Sequence, residues 1–143
     1  GYWPLTGHAQ DYSKEGSEGQ FALTQNGGFT YPGGRYGETE NGAHRFDGTN
    51  YLEVADQNHY DLSSAYTISL WINRNASGGM RLVDKITNNA CDGYSVDITA
   101  DNRLRLLYCL VNAAGQDVIS GSTIPVNQWV HVLATFSNTQ QKA

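Results

Sequence analysis

At 143 residues the chain has room for one domain and little more. Charged residues make up only 16%, while glycine reaches 16 copies and tyrosine nine, a composition for short strands and many turns rather than long charged helices. The net charge of −5 argues against nucleic acid or an anionic membrane as partner, and no run approaches the roughly 18–20 apolar residues of a membrane span.

The opening Gly1-Tyr2-Trp3-Pro4-Leu5 carries no signal-peptide pattern, so a secreted protein would begin this way only as a mature form or a fragment. Gly16, Gly19, Gly27-Gly28, Gly33-Gly34, Gly37 and Gly42 then leave space only for short strands such as Phe21-Ala22-Leu23-Thr24. His44-Arg45-Phe46 leads into a turn at Asp47-Gly48-Thr49-Asn50, and Tyr51-Leu52-Glu53-Val54 reads as a strand. Gln57 to Ser64 is polar and reads as a loop with room for one helical turn. The clearest strand is Tyr66 to Asn73, where Ile68, Leu70 and Ile72 share one face and Thr67, Ser69, Trp71 and Asn73 the other. A turn over Asn75 to Gly79 and a strand over Met80 to Ile86 follow.

Tyr94 to Ile98 and Arg103 to Tyr108 read as two strands around a short loop at Thr99-Ala100-Asp101. With Ala100 at the centre, Asp97 faces Arg103, Ser95 faces Arg105 and Cys91 faces Cys109, while Val96–Leu104 and Tyr94–Leu106 form an apolar face. That register predicts a Cys91–Cys109 disulfide, worth on the order of 3 kcal/mol and typical of an extracellular, oxidising location; the competing reading is two reduced thiols. Trp129 to Phe136, entered through Pro125-Val126-Asn127-Gln128, is the last strong strand. No helix of three turns, internal repeat or linker stands out, so the chain is expected to be one all-β domain over residues 1–143.

Five pieces in order resemble the laminin-G-like and pentraxin-like domains of the concanavalin A-like lectin/glucanase jelly rolls. They are Tyr2-Trp3-Pro4-Leu5, Arg45 to Leu52, Tyr66 to Ile72, Gly93-Tyr94-Ser95-Val96 and Asn127-Gln128-Trp129-Val130-His131-Val132. The resemblance implies a two-sheet antiparallel jelly-roll sandwich. In such domains a hairpin and closing strands normally follow the segment like Trp129–Phe136, so the sandwich is expected to be incomplete at the C-terminus, as a processed or truncated chain or with its strands supplied by a second polypeptide. A divergent, shorter fold is the alternative.

The resemblance and the oxygen-rich loops also suggest calcium, with Asp11 and Asp47 as candidate metal ligands; for Asp47 the favoured reading is the acid of an Asp-Gly turn. Asp92 lies near where pentraxins place calcium-binding acids. A sugar site needs an apolar surface for ring C–H groups and planar polar groups for hydroxyls. The polar sheet face offers Trp71, Asn73, Asp97, Arg103 and Arg105, with Asp92 adjoining. The competing reading is a covered Trp71 and an ordinary Asp97–Arg103 surface pair worth under about 1 kcal/mol. Trp3 and Trp129 read as core anchors, and the four histidines as scattered. Asn75-Ala76-Ser77 is a glycosylation sequon.

Catalysis is not expected. Glu38-Thr39-Glu40 lies in a glycine-rich loop and Glu53-Val54-Ala55-Asp56 has the wrong spacing for paired carboxylates on one strand face. The expectation is a secreted, non-catalytic carbohydrate-binding, lectin-like module. The alternative is a protein-interaction or adhesion module, or a structural one completed by another chain.

Overall fold

The computed structural model describes residues 1–13, 21–62, 64–87, 92–109 and 115–137. Among them are ten strands: β1 (Thr24–Asn26), β2 (Thr30–Pro32), β3 (Glu40–Arg45), β4 (Tyr51–Glu53), β5 (Ala65–Asn73), β6 (Met80–Thr87), β7 (Asp92–Ile98), β8 (Arg103–Cys109), β9 (Gln116–Thr123) and β10 (Trp129–Ser137). One 3₁₀ turn spans Asn58–Tyr60, within the segment read as a loop, and no α-helix occurs among the described residues. Every ladder is antiparallel. The chain divides into two compact units, Gly1–Gln57 and Asn58–Ala143.

In the first unit β1 pairs with β4 and β2 with β3. The N-terminal segment is fastened by polar groups. Asp11, 2% exposed, accepts hydrogen bonds from the Tyr2 and Ser13 amides at 2.9 and 2.8 Å and from the Ser13 hydroxyl at 2.9 Å. Burial alone would raise its pKa, but these bonds outweigh it and hold the carboxyl below its ordinary range. The Leu5 carbonyl can only accept, so His44 donates to it through Nδ1 at 2.9 Å, and its Nε2 is left to accept from the Gln25 amide at 3.4 Å. The β2–β3 connection needs glycine for close approach: a Cβ at Gly34 or Gly42 would overlap the backbone of the other.

The second unit is a sandwich. β5 and β10 form one two-stranded ladder and β6-β7-β8-β9 a four-stranded sheet in sequence order. The alternating apolar residues of both sheets meet in one core: Tyr66, Val132, Ala134 and Phe136 from the ladder, and Tyr94, Val96, Leu104, Leu106 and Tyr108 from the sheet, with Ile68, Leu70 and Ile72 packed against them. Fully burying an aliphatic side chain such as Leu106 contributes about 1.5–3 kcal/mol. Tyr66 stacks on Phe136 at 5.1 Å and 20°, and contacts Tyr94 at 4.9 Å. Among the described residues the Tyr66 hydroxyl is buried without a hydrogen-bond partner.

The β7–β8 register differs from the sequence expectation. Asp97 faces Arg105, Val96 faces Leu106, Tyr94 faces Tyr108 and Gly93 faces Cys109. The connection takes one residue more than a loop centred on Ala100. Thr99 N donates to Arg103 O at 2.9 Å and Asn102 N to Thr99 O at 2.9 Å, with Asn102 left-handed at φ 67°. A pairing centre one residue later shifts the register by two, and a shift of two returns every side chain to its face. The polar and apolar faces therefore stand as expected, while the Asp97–Arg103, Ser95–Arg105, Val96–Leu104 and Tyr94–Leu106 partners do not. Cys109 carries no free thiol; Cys91 lies outside the described residues.

β9 was not anticipated. Its Gln116–Thr123 sequence is mostly polar, and a bulge breaks its pairing with β8 between Arg103 and Arg105. There the Ser120 hydroxyl takes the Leu104 amide at 3.1 Å and donates to Ser122 O at 2.7 Å, so a side chain replaces a ladder bond.

The ends of these strands converge on Arg74, which is 5% exposed. Its guanidinium donates to Ile124 O at 2.6 Å, Asn102 Oδ1 at 2.7 Å, Pro125 O at 3.2 Å and Gly78 O at 3.4 Å. Asn102 Oδ1 also accepts from Gly78 N at 2.9 Å, and Arg74 O accepts from Asn127 N at 2.7 Å. Among the described residues no carboxylate meets this cation. Replacing Arg74 by Ala would remove the donor from three carbonyl oxygens and one of two donors from Asn102 Oδ1, and we expect a loss of about 3 kcal/mol or more in urea unfolding; a loss under about 1 kcal/mol would contradict the network's role.

Burial, reinforced by Tyr94 and Tyr108, pushes the Tyr66 hydroxyl up to about 12, and burial likewise raises that of Tyr94. Below about pH 10 folded and unfolded chains both keep these protons. Above it the unfolded chain ionises first, so stability declines as pH rises towards the folded value. An ultraviolet titration should show a late tyrosine class that ionises together with loss of structure. Full ionisation near pH 10 with the fold intact would contradict this.

Candidate ligand-binding face

With Ile68, Leu70 and Ile72 turned into the core, β5 presents Thr67, Ser69, Trp71 and Asn73 outward, all exposed. β10 buries Val132, Ala134 and Phe136 and presents Trp129, His131, Leu133 and Thr135 on the same outer side. The ladder sets Trp71 opposite His131, Asn73 opposite Trp129, Ser69 opposite Leu133 and Thr67 opposite Thr135. The Trp71 and His131 rings lie 5.1 Å apart at 31°, and Ser69 Oγ lies 2.7 Å from His131 Nε2. Trp71 is 44% and Leu133 48% exposed. An aromatic ledge is thus edged by an amide, a hydroxyl and an imidazole. This set can receive an apolar ring face and exchange hydrogen bonds with groups around its rim.

Trp71 and Asn73 are the expected residues that meet here. Asp97, Arg103 and Arg105 stand on a different surface. Their strands belong to the four-stranded sheet, whose inner side packs against the inner side of β5–β10, so the two polar faces point away from each other. Period-two patterning assigns a side chain to a face of its own strand, but it does not say which sheet the strand joins. The expected single surface is therefore two.

On that second surface Arg105 grips Asp97 through two bonds, Nε–Oδ1 at 2.9 Å and Nη2–Oδ2 at 2.8 Å, and lies 3.8 Å from Asp117. Hydrogen bonding to Asp97 raises the Arg105 pKa further above its ordinary value. Asp97 is 4% exposed, and the neighbouring Ser95 Oγ is buried without a partner among the described residues. Both Asp97 oxygens are taken by a bidentate pair, a geometry that holds two strands together. Arg103 instead pairs with the exposed Asp101 at 3.2 Å. Asp92 is exposed at the start of β7, opposite Thr87.

The two acids expected to hold a metal have structural work. Asp11 forms the N-terminal clasp. Asp47 Oδ1 braces its own turn by accepting from Thr49 N at 2.9 Å and Thr49 Oγ1 at 2.7 Å, bonds that hold the carboxyl below its ordinary range. No group of three or more His, Cys, Asp or Glu converges among the described residues. Asn75 is exposed beside Arg74 in the β5–β6 turn. His131, Ser69 and Leu133 were not singled out from sequence. The same two-residue period that marked Trp71 places His131 on the outer face of β10, but only the pairing of β10 with β5 brings them together.

No curated protein matches this sequence. A solved structure from work on botulinum neurotoxin type C, whose cell entry depends on interaction with two ganglioside molecules, shares the fold over 93% of this chain. The TM-score is 0.53 at 12% sequence identity, and this chain spans 35% of that one. At that identity the likeness concerns the fold alone. The family model for laminin G 3, described as the Concanavalin A-like lectin/glucanases superfamily, matches residues 46–143. The all-β composition, the antiparallel sheets and this match over more than half of the sequence agree: the chain belongs to the laminin G 3 family of the concanavalin A-like lectin/glucanases superfamily.

Proposed function

We propose that this chain is an extracellular, non-catalytic carbohydrate-binding module whose ligand rests on the outer face of β5–β10. The observation that carries the reading is the Trp71–His131 pair, with Ser69 and Asn73 at its edge. The indole face receives the C–H side of a pyranose, and the rim groups exchange hydrogen bonds with its hydroxyls. The lectin and glucanase superfamily supports a glycan ligand, as does the ganglioside interaction of the toxin that shares the fold. Binding without hydrolysis fits the use of Asp97, whose two oxygens are engaged by Arg105. The absence of a free thiol at Cys109 fits an oxidising compartment and a Cys91–Cys109 bridge.

A second reading rests on the edges of the same ladder. Among the described residues β5 and β10 pair only with each other, so each leaves one edge for a strand from another polypeptide. Laminin-G-type protein interaction or completion by a second chain would use those edges, together with the exposed Leu133.

A glycan array identifies the ligand, and calorimetry with wild type and Trp71→Ala tests the site. We expect the variant to keep its circular dichroism and lose at least about tenfold in affinity, or about 1.4 kcal/mol. The bound glycan should be recovered intact, and alkylation without reductant should label no cysteine. Unchanged affinity in Trp71→Ala would move the site elsewhere, and cleavage of the glycan would end the non-catalytic reading.

A further inference from the structure

We propose that a cavity in the first unit, lined by Gly28, Thr30, Arg45, Asp47 and Asn50, is a second binding site, for a sugar unit that carries a carboxylate. This deepens the carbohydrate reading and rests on it. The cavity has a volume of about 300 Å³, at the small end of ligand sites, which run from about 300 to 1,000 Å³.

Its walls are fixed by backbone pairing. Thr30 at the start of β2 and Arg45 at the end of β3 are direct ladder partners, so hydroxyl and guanidinium rise from one face of the hairpin. The turn after β3 is bolted across both strands by Asn50, which is 9% exposed. Asn50 Nδ2 donates to Gly28 O at 2.7 Å and to Arg45 O at 3.1 Å, and Asn50 Oδ1 accepts from Asp47 N at 3.1 Å. The site is therefore formed before any ligand arrives, which lowers the ordering cost of binding.

Its electrostatics point to the ligand. Arg45 and Asp47 line the same cavity, yet they form no ion pair with each other, and the Arg45 guanidinium has no side-chain partner among the described residues. Asp47 commits Oδ1 to Thr49, and its Oδ2 has no side-chain partner among the described residues. Among the described residues the cavity thus offers a planar donor without an ion-pair partner, an acidic acceptor and a hydroxyl. A guanidinium fork matches a carboxylate, a carboxylate acceptor matches neighbouring hydroxyls, and Thr30 can serve either. A neutral sugar would leave Arg45 unused, and a simple carboxylate would leave Asp47 unused. At Gly28 an added Cβ would meet nothing within 4 Å, so a larger side chain there has open space to occupy.

The test is calorimetry with glucuronate, glucose and acetate on wild type, Gly28→Val, Arg45→Gln and Arg81→Gln, with circular dichroism as the folding control. Wild type should bind glucuronate and bind glucose and acetate far more weakly. Gly28→Val should abolish glucuronate binding, Arg45→Gln should weaken it about tenfold or more, and Arg81→Gln, at an exposed arginine outside the cavity, should leave it unchanged. Glucuronate binding that survives both Gly28→Val and Arg45→Gln overturns the site. So does an equal loss in Arg81→Gln, or no glucuronate binding at all. The β5–β10 reading is decided separately, by whether the glycan found on the array loses affinity in Trp71→Ala.

Discussion

The guanidinium of Arg74 is a charge removed from water and held by oxygens that other segments supply: the Gly78 carbonyl before β6, the Asn102 side chain between β7 and β8, and the Ile124 and Pro125 carbonyls before β10. Such a cation is tolerable only while all of its donors are satisfied. It therefore ties the end of the β5–β10 ladder to the turns of the four-stranded sheet. Asn102 and Asn127 adopt left-handed backbone at φ 67° and 58° to present their groups to this network, a conformation asparagine accepts more readily than most residues. With the sheet ends held in this way, the Tyr66, Phe136, Tyr108 and Leu106 core can close between them.

Closure of that core divides the labour of the two outer faces. On the four-stranded sheet the bidentate Arg105–Asp97 pair, with Asp117 nearby, satisfies charges that would otherwise be stranded beside the buried Ser95. On the two-stranded ladder the outward groups are an indole, an imidazole, an amide and hydroxyls, with no charged pair across the strands. The first arrangement stabilises a strand pair, and the second is the face on which we propose that a ligand rests. Fold membership alone would not distinguish them; the proposal rests on their side-chain contacts.

Much of the architecture was legible in particular residues. The alternation in Tyr66–Asn73 and Trp129–Phe136 announced both strands of the ladder and the outward position of Trp71, and the ordered motifs around Arg45–Leu52 and Gly93–Val96 announced the family. The β7–β8 register was legible only modulo two, because a shift of two residues keeps faces and changes partners. β9 escaped because Gln116–Thr123 has no apolar alternation and its bulge is bridged by Ser120 rather than by backbone. Arg74 was invisible because one arginine between Asn73 and Asn75 reads as turn surface; its burial follows from four segments meeting in space. The pairing of Trp71 with His131 was hidden for the same reason, since a partner 60 residues away on another strand leaves no local signal.

The claim on which the account turns is that ligand contacts the outer face of β5–β10. It is tested most directly by nuclear magnetic resonance titration of the labelled chain with the glycan that binds it. The account predicts that the Trp71 indole N–H and the His131 ring signals shift first and saturate together, while Asp97 and Arg105 signals stay in place. Shifts confined to the Asp97–Arg105 surface, with Trp71 and His131 unmoved, would contradict it.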